Sequence, residues 1–238
     1  FGYPINEFYH GRGPFECAGI GMDLRPGDIA FRCNLATVDK NLKIIDRRAG
    51  RISSVKELVK DLNMEIGGVK FIIKEGTAHR AGLIMRGKNL SHKISDPDPH
   101  EINFNVKDAT PLESSAEAKF TASLLNKYLQ KCHEILKNNK LNKERTSKKL
   151  PEANFLLPRG AGYMVKYPTF NERYNLKACC IAGAGLYKGI AKMFGMEILN
   201  VEGANGLPST NVNAKIKTAV DSLKDYDFIF VHIKAADN

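Results

Sequence analysis

No stretch of this 238-residue chain approaches the roughly 18–20 consecutive apolar residues that a bilayer crossing needs, so no membrane partner is expected. Nor does the opening Phe1-Gly-Tyr-Pro-Ile-Asn-Glu7 have the character of a signal peptide. Cysteine is scarce: Cys17, Cys33, Cys132, Cys179 and Cys180 make an odd count of 5 without metal-ligand spacing. Cys179 and Cys180 sit side by side in an apolar run, as small core hydrophobes do. Reduced thiols and a cytoplasmic location are therefore expected. There is no Ser, His and Asp order and no activated Cys to support a triad hydrolase. A Walker loop and a full dinucleotide glycine pattern are also missing, as is any internal repeat.

What is plentiful is positive charge. Lys and Arg number 36 against 26 Asp and Glu, a net charge of +10. Such a balance suits nucleic acid, an acidic membrane or a small anionic substrate. Much of the excess lies in Lys137–Lys149, a run without interleaved aromatics. It reads as a solvated helix end and loop, and nucleic acid is not expected as a partner. With 43% hydrophobic residues the chain can bury a real core, and its length admits one large domain or two ordinary ones.

Residues 11–28 are rich in Gly and Pro and read as loop with one short helix. From Ile29 to Val38 the pattern alternates, with Ile29, Phe31, Cys33 and Leu35 on one face and Arg32 and Asn34 on the other. Ser54-Val-Lys-Glu57 is a capping-box pattern before a short helix striped by Val55, Leu58, Val59 and Leu62. Strands follow at 70–74 and 80–86. Ser114-Ser-Ala-Glu117 is a second capping box, before the longest helix, whose inner face is Leu124, Leu125, Tyr128, Leu129, Cys132, Ile135 and Leu136. Beyond 158 the pattern becomes strand, helix, strand, helix, strand. Its last helix, 211–224, has Val212, Ile216, Ala219, Val220 and Leu223 expected inward. Short connections there imply parallel crossovers in a doubly wound sheet.

The expected fold class is therefore α/β, a partial doubly wound sheet domain interrupted by a smaller α+β insert. The expected domains are 1–28, a piece of the sheet domain with a linker; 29–160, the insert; and 161–238, the return to the sheet domain. The chain opens without Met and stops at Asp237-Asn238, directly after the apolar strand 228–236. An acidic residue at such a strand end is where open α/β sheets gather ligands. The expectation is a fragment or an incompletely built chain, with parts of its active site outside it.

Several cations stand singly beside glycines or strand ends. Asp46-Arg-Arg-Ala-Gly-Arg51 puts three guanidiniums in a short loop, and guanidinium forks match phosphate and carboxylate oxygens. Thr77-Ala-His79-Arg80 begins a strand, and Ser95-Asp-Pro-Asp-Pro-His-Glu101 is a Pro-stiffened polar loop. Leu157-Pro-Arg159-Gly and Gly183-Ala-Gly185-Leu-Tyr-Lys188 add two more. Arg32, Arg48, Arg51, Arg80, Arg159 and Lys188 together would suit a small phosphorylated acid, and the carboxylates and imidazole at 95–101 look like metal-ligand material. Left open are a solvated charge cluster at 46–51 and a plain turn at 95–101.

These strings carry a resemblance. His10-Gly-Arg-Gly-Pro-Phe-Glu16, Gly27-Asp-Ile-Ala-Phe-Arg-Cys-Asn34, Ile45–Arg51, Ser95–Glu101, Leu157–Gly162, Ile181–Ala191 and Val231–Asn238 together resemble the archaeal-type 2,3-bisphosphoglycerate-independent phosphoglycerate mutases of the alkaline phosphatase superfamily. The resemblance runs along essentially the whole chain. It implies a phosphatase-like α/β domain with a substrate-gripping insert. It also implies interconversion of 3-phosphoglycerate and 2-phosphoglycerate through a phosphoserine, in glycolysis and gluconeogenesis. Two divalent metals (Mn, Mg, Zn or Co) would serve as cofactors, without 2,3-bisphosphoglycerate, and Asp237 matches a metal ligand. The six cations would form the substrate cradle, with His79, Asp98 and His100 lining it. Against that pattern the chain is expected to lack the nucleophilic Ser and most metal ligands. A homo-oligomer stays open. A related phosphotransferase or phosphatase for another small phosphorylated acid is the alternative, and a basic binding module the remaining class.

Overall fold

The alternating run at 29–38 forms a ten-residue strand, β1 (Ile29–Val38), in the computed structural model, which describes residues 1–234. The chain divides into two compact units. The first comprises Phe1–Pro14 and Leu24–Met164, the second Phe15–Asp23 and Val165 onward. Among the described residues no helix is long and apolar enough to cross a membrane.

The first unit begins with α1 (Ile5–Phe8), and the unit boundary falls inside α2 (Gly13–Gly19). Its sheet contains β1, β2 (Ile44–Asp46), β3 (Met64–Ile66), β4 (Val69–Glu75), β5 (Arg80–Arg86) and β6 (Phe155–Gly162). The order is β2-β1-β5-β4-β3, with β6 also pairing β1 along Ala30–Ala36, and every pairing is antiparallel. One face of β1, β4 and β5 packs on α4 (Ala116–Asn138), whose Tyr128 ring stacks on Phe71 at 4.2 Å. The expected inner face of α4 is buried there, Ile135 only partly. The helix starts from Ser115, whose hydroxyl accepts from Ala118 N, one residue later than the capping-box pattern places it.

The other capping-box pattern fails. α3 (Lys56–Val59) has no side-chain cap and runs into a 3-10 turn, Lys60–Leu62. Glu57 pairs forward with Lys60 at 2.7 Å, so it cannot reach back to its own N-terminus. The stripe Val55, Leu58, Val59 and Leu62 is nevertheless buried. α5 (Lys140–Ser147) then carries the chain toward β6.

In the second unit Thr169 and Glu172 form a full capping box on α6 (Phe170–Tyr174). A parallel sheet follows, ordered β8-β7-β9, with β7 (Ala178–Ile181) between β8 (Glu197–Ile198) and β9 (Phe228–Val231). α7 (Gly185–Met193) joins β7 to β8, and α8 (Val212–Ser222) crosses back to β9. With right-handed crossovers this order puts the two helices on opposite faces, which is double winding. Gly19 and Gly189 allow α2 and α7 to touch: a Cβ on Gly189 would meet Phe15 O at 1.7 Å.

Two expectations need correction here. The sheet domain is not partial in the sense expected, because all three strands and both crossover helices are built without a break and β7 is paired on both sides. The inward face of α8 is also different. Val212, Ile216, Val220 and Leu223 are 36%, 47%, 60% and 67% exposed, while Lys215 and Ser222 are buried. Lys215 takes the inward position because its Nζ donates to His232 O at 3.0 Å.

Candidate anion-binding site

Arginines meet at one end of the first unit's sheet because the strand register puts them there. Arg32 on β1 lies directly opposite Arg159 on β6, and two residues along, Asn34 lies opposite Arg80 on β5. Directly opposed residues share a face, and like charges so placed repel. Arg32 is only 6% exposed, so water does little to relieve that repulsion. Arg80 Nε and Asn34 Oδ1 are buried without a hydrogen-bond partner among the described residues, a donor and an acceptor that a bound molecule would satisfy.

Loops complete the cluster. Asp98, its side chain 0% exposed, accepts from Arg47 Nε at 3.2 Å and Nη2 at 2.5 Å, and from His100 N at 2.9 Å. Arg159 Nη1 lies 3.9 Å from the same carboxylate and 3.1 Å from His100 Nδ1. A guanidinium has no acceptor, so His100 Nδ1 accepts, and its ring proton sits on Nε2, 3.5 Å from Asp96 Oδ2. Asp96 Oδ1 closes the circuit by accepting from Gly160 N at 2.8 Å. Burial pulls the Arg159 guanidinium below its ordinary pKa, against the opposing pull of Asp98.

The backbone around these side chains is strained. His100, Ala78, Ala49 and Arg51 all have left-handed φ, at 65°, 58°, 48° and 56°. Non-glycine residues held this way cost about 1–3 kcal/mol each and gather where a site must be shaped in advance. Asp46 braces the 46–51 loop by accepting from Arg48 N at 2.7 Å and Gly50 N at 2.8 Å.

His79 is 9% exposed and lies within electrostatic reach of Arg80, Arg48 and Arg32. Burial first, then those cations, lowers its pKa from 6.5 to about 4, with Asp46 opposing. A neutral imidazole among arginines leaves their charge undiluted by any carboxylate of its own. The ring stays neutral in the fold through a pH range where an unfolded chain would protonate it. Its contribution to stability is thus present above about pH 6.5 and is lost as pH falls toward 4. The loss is on the order of 2 kcal/mol, and melting curves of His79→Gln between those pH values should show a flatter profile than the unchanged protein. An identical profile would remove His79 from the cluster.

A cavity of about 770 Å³ lies elsewhere, among Glu57, Lys60, Asp61, Glu134, Lys140 and Glu144. It is open and mixes both signs of charge, so it offers a dianion no convergent cations.

The family model for 2,3-bisphosphoglycerate-independent phosphoglycerate mutase matches residues 1–142. This chain belongs to that family. It is 52% identical over 239 residues to 2,3-bisphosphoglycerate-independent phosphoglycerate mutase 1 of Methanocaldococcus jannaschii, covering 99% of this chain and 58% of the relative. The corresponding Archaeoglobus fulgidus protein is 44% identical over 99% of this chain and 59% of its own length. Among solved structures, the cofactor-independent phosphoglycerate mutase of Thermoplasma acidophilum superposes with a TM-score of 0.69 at 38% identity, over 100% of this chain and 62% of that one. The PH0037 protein of Pyrococcus horikoshii gives 0.74 at 31% identity, over 99% and 54%. The chain thus spans rather more than half the length of these proteins.

The expectation of an incompletely built chain is corrected by these findings. The match runs over 99% of the chain, and residues 1–234 fold without a gap. The loss of nucleophile and metal ligands, inferred from where the sequence starts and stops, is withdrawn with it. Membership of the phosphoglycerate mutase family implies dependence on divalent metal. Among the described residues, however, no three His, Cys, Asp or Glu side chains converge on a point that could hold one. The described residues therefore do not fit a metal, and Asp237 lies outside them.

Of the residues singled out from sequence, the structure brings Arg32, Arg48, His79, Arg80, Asp98, His100 and Arg159 into one neighbourhood. Arg51 is exposed on the same loop and makes none of these contacts. Lys188 belongs to the second unit, in α7, with Nζ 3.5 Å from Asn200 Oδ1. Sequence reasoning passed over Arg12 and counted Arg47 only within the three-guanidinium group at 46–51. Arg12 bears on Arg159 electrostatically, and a Cβ on Gly160 would sit 3.1 Å from Arg12 Cβ. Its flanking glycines in Gly11-Arg-Gly13 were the available signal, the same one that marked Arg159. All five cysteines are buried and free, and burial raises Cys132 and Cys180 to about 12, as inert core thiols require.

Proposed function

We propose that this chain serves an enzyme that interconverts 3-phosphoglycerate and 2-phosphoglycerate through a phosphoserine intermediate, in glycolysis and gluconeogenesis. On this proposal the first unit grips the substrate, and the second is part of the phosphatase-like α/β half. The observation that carries it is the register-enforced facing of Arg32 and Arg159, with Arg80 beside them. Converging cations of this kind match a dianion, and the family supplies a substrate with a phosphate and a carboxylate.

The residues then divide the work. Arg32, Arg80 and Arg48 neutralise one anionic group, with neutral His79 offering a hydrogen bond without competing charge. Arg159, held by His100 and Asp98, meets the other group and keeps glycerate oriented between the two transfers. Arg51 is proposed as a further substrate contact of the first unit, Lys188 as a phosphate contact of the second, and Asp237 as a metal ligand. Divalent metal (Mn, Mg, Zn or Co) is proposed for the enzyme as a whole, its ligands lying outside the described residues.

A related phosphotransferase or phosphatase for another small phosphorylated acid would use the same cations. Melting temperature in the presence of a ligand panel separates the two. At about a hundredfold excess over Kd a ligand stabilises by about 2.7 kcal/mol, a rise of several degrees. That rise is expected with 3-phosphoglycerate and 2-phosphoglycerate, and little with phosphoethanolamine or a phosphonate lacking the carboxylate. A larger rise with phosphoethanolamine would favour the alternative, and no rise with any ligand would defeat both.

A further inference from the structure

We infer that Arg145, within the basic stretch 137–149, is a positioning residue that holds the Arg48 loop in its anion-binding shape; this rests on the proposed substrate site. Its guanidinium crosses from α5 to the loop, with Nη2 donating to Ala49 O and Nε to Pro151 O, both at 2.8 Å. A lysine ammonium could not span two carbonyls in one plane as this fork does.

The platform beneath it is fixed. Asn142, one turn earlier on α5, is 0% exposed and uses both ends of its amide. Its Nδ2 donates to Leu136 O at 2.8 Å and Ala153 O at 3.1 Å, while Oδ1 accepts from Ala153 N at 2.8 Å. The main chain folds back over α5 as well, Leu150 N donating to Arg145 O at 2.9 Å. Pro151 is thereby placed against the loop, where a Cβ on Gly50 would sit 2.9 Å from its ring.

What is being held needs holding. Ala49, Gly50 and Arg51 are three consecutive left-handed residues, with φ of 48°, 66° and 56°. Two of them are not glycine, so the loop would relax toward ordinary backbone without outside support. Asp46 restrains it from within through Arg48 N and Gly50 N. Arg47 ties it to Asp98 on one side, and Arg145 ties Ala49 on the other. Arg48 lies between those two ties, within reach of His79. Charge in this stretch therefore has one residue with a specific task amid lysines that face water.

The test is a double-mutant cycle on the full chain, reading 3-phosphoglycerate affinity by calorimetry. Arg145→Ala should weaken binding about tenfold, because the loop loses its fork and Arg48 its place. In an Arg48→Ala background the same change should cost nothing further, since its effect passes through Arg48. Arg145→Lys should recover only part of the affinity. Equal losses in both backgrounds, or full affinity in Arg145→Ala, would overturn the assignment and leave the site intact. Absence of binding by the unchanged chain would defeat the site and this inference together. Should Arg145→Ala not fold, Arg145→Lys in the same cycle gives the same decision.

Discussion

Arg159→Gln is expected to weaken 3-phosphoglycerate binding by about 2 kcal/mol or more while leaving the ligand-free protein at least as stable as before. The two effects have opposite signs because they come from the same geometry. Burial, Arg47 and Arg12 disfavour the charge of Arg159 against the pull of Asp98, and a dianion placed between Arg159 and Arg32 would favour it. Its neighbours His100 and Asp98 keep their own partners, His100 N and Arg47 both remaining on Asp98. Calorimetric titration and thermal melting on one preparation measure both quantities. Lost stability with unchanged affinity would mean that Arg159 is structural and that the repulsion is fully compensated within the protein.

Asp98→Asn should have the larger effect on the fold. The carboxylate is wholly buried and takes two bonds from Arg47. Asparagine keeps the shape, removes the charge and turns an NH2 toward a guanidinium. Breaking one side of such a pair costs about 3–5 kcal/mol, because the other charge stays behind uncompensated. Urea unfolding should show a lower midpoint at unchanged slope. Arg47→Met in the same background should recover part of the loss, since it removes the orphaned charge. A change below about 1 kcal/mol would place the pair among exposed ion pairs that carry little energy.

Local periodicity made much of the fold legible. Alternation along 29–38 gave β1 with its ends, and the stripe from Leu124 to Leu136 gave the face of α4. Both signals live within one element. The second unit's strand and helix alternation gave a parallel sheet for the same reason. α8 shows where this stops: Val212, Ile216 and Val220 have helical spacing, but spacing does not say what lies on either side. Lys215 occupies the inward position because it has a carbonyl to bond at His232, seventeen residues on.

The site was legible as a set of residue types and illegible as a geometry. Arginines beside glycines or at strand ends marked Arg32, Arg48, Arg80 and Arg159. Which of the three arginines at 46–51 is committed elsewhere depends on Asp98, 51 residues away, and Arg145 meets Ala49 across 96 residues. Contacts at such separations leave no trace in local spacing. Lys137–Lys149 read as uniformly solvated for this reason, although Arg145 within it is half-buried on two carbonyls.

The most direct measurement is a titration of isotopically labelled protein with 3-phosphoglycerate, following the arginine Nε–H resonances by NMR. Arg32, Arg80 and Arg159 should shift together and saturate at one common affinity, with Arg25 and Arg173 unmoved. Shifts confined to surface arginines, or spread evenly over all of them with the steep salt dependence of diffuse binding, would contradict the site.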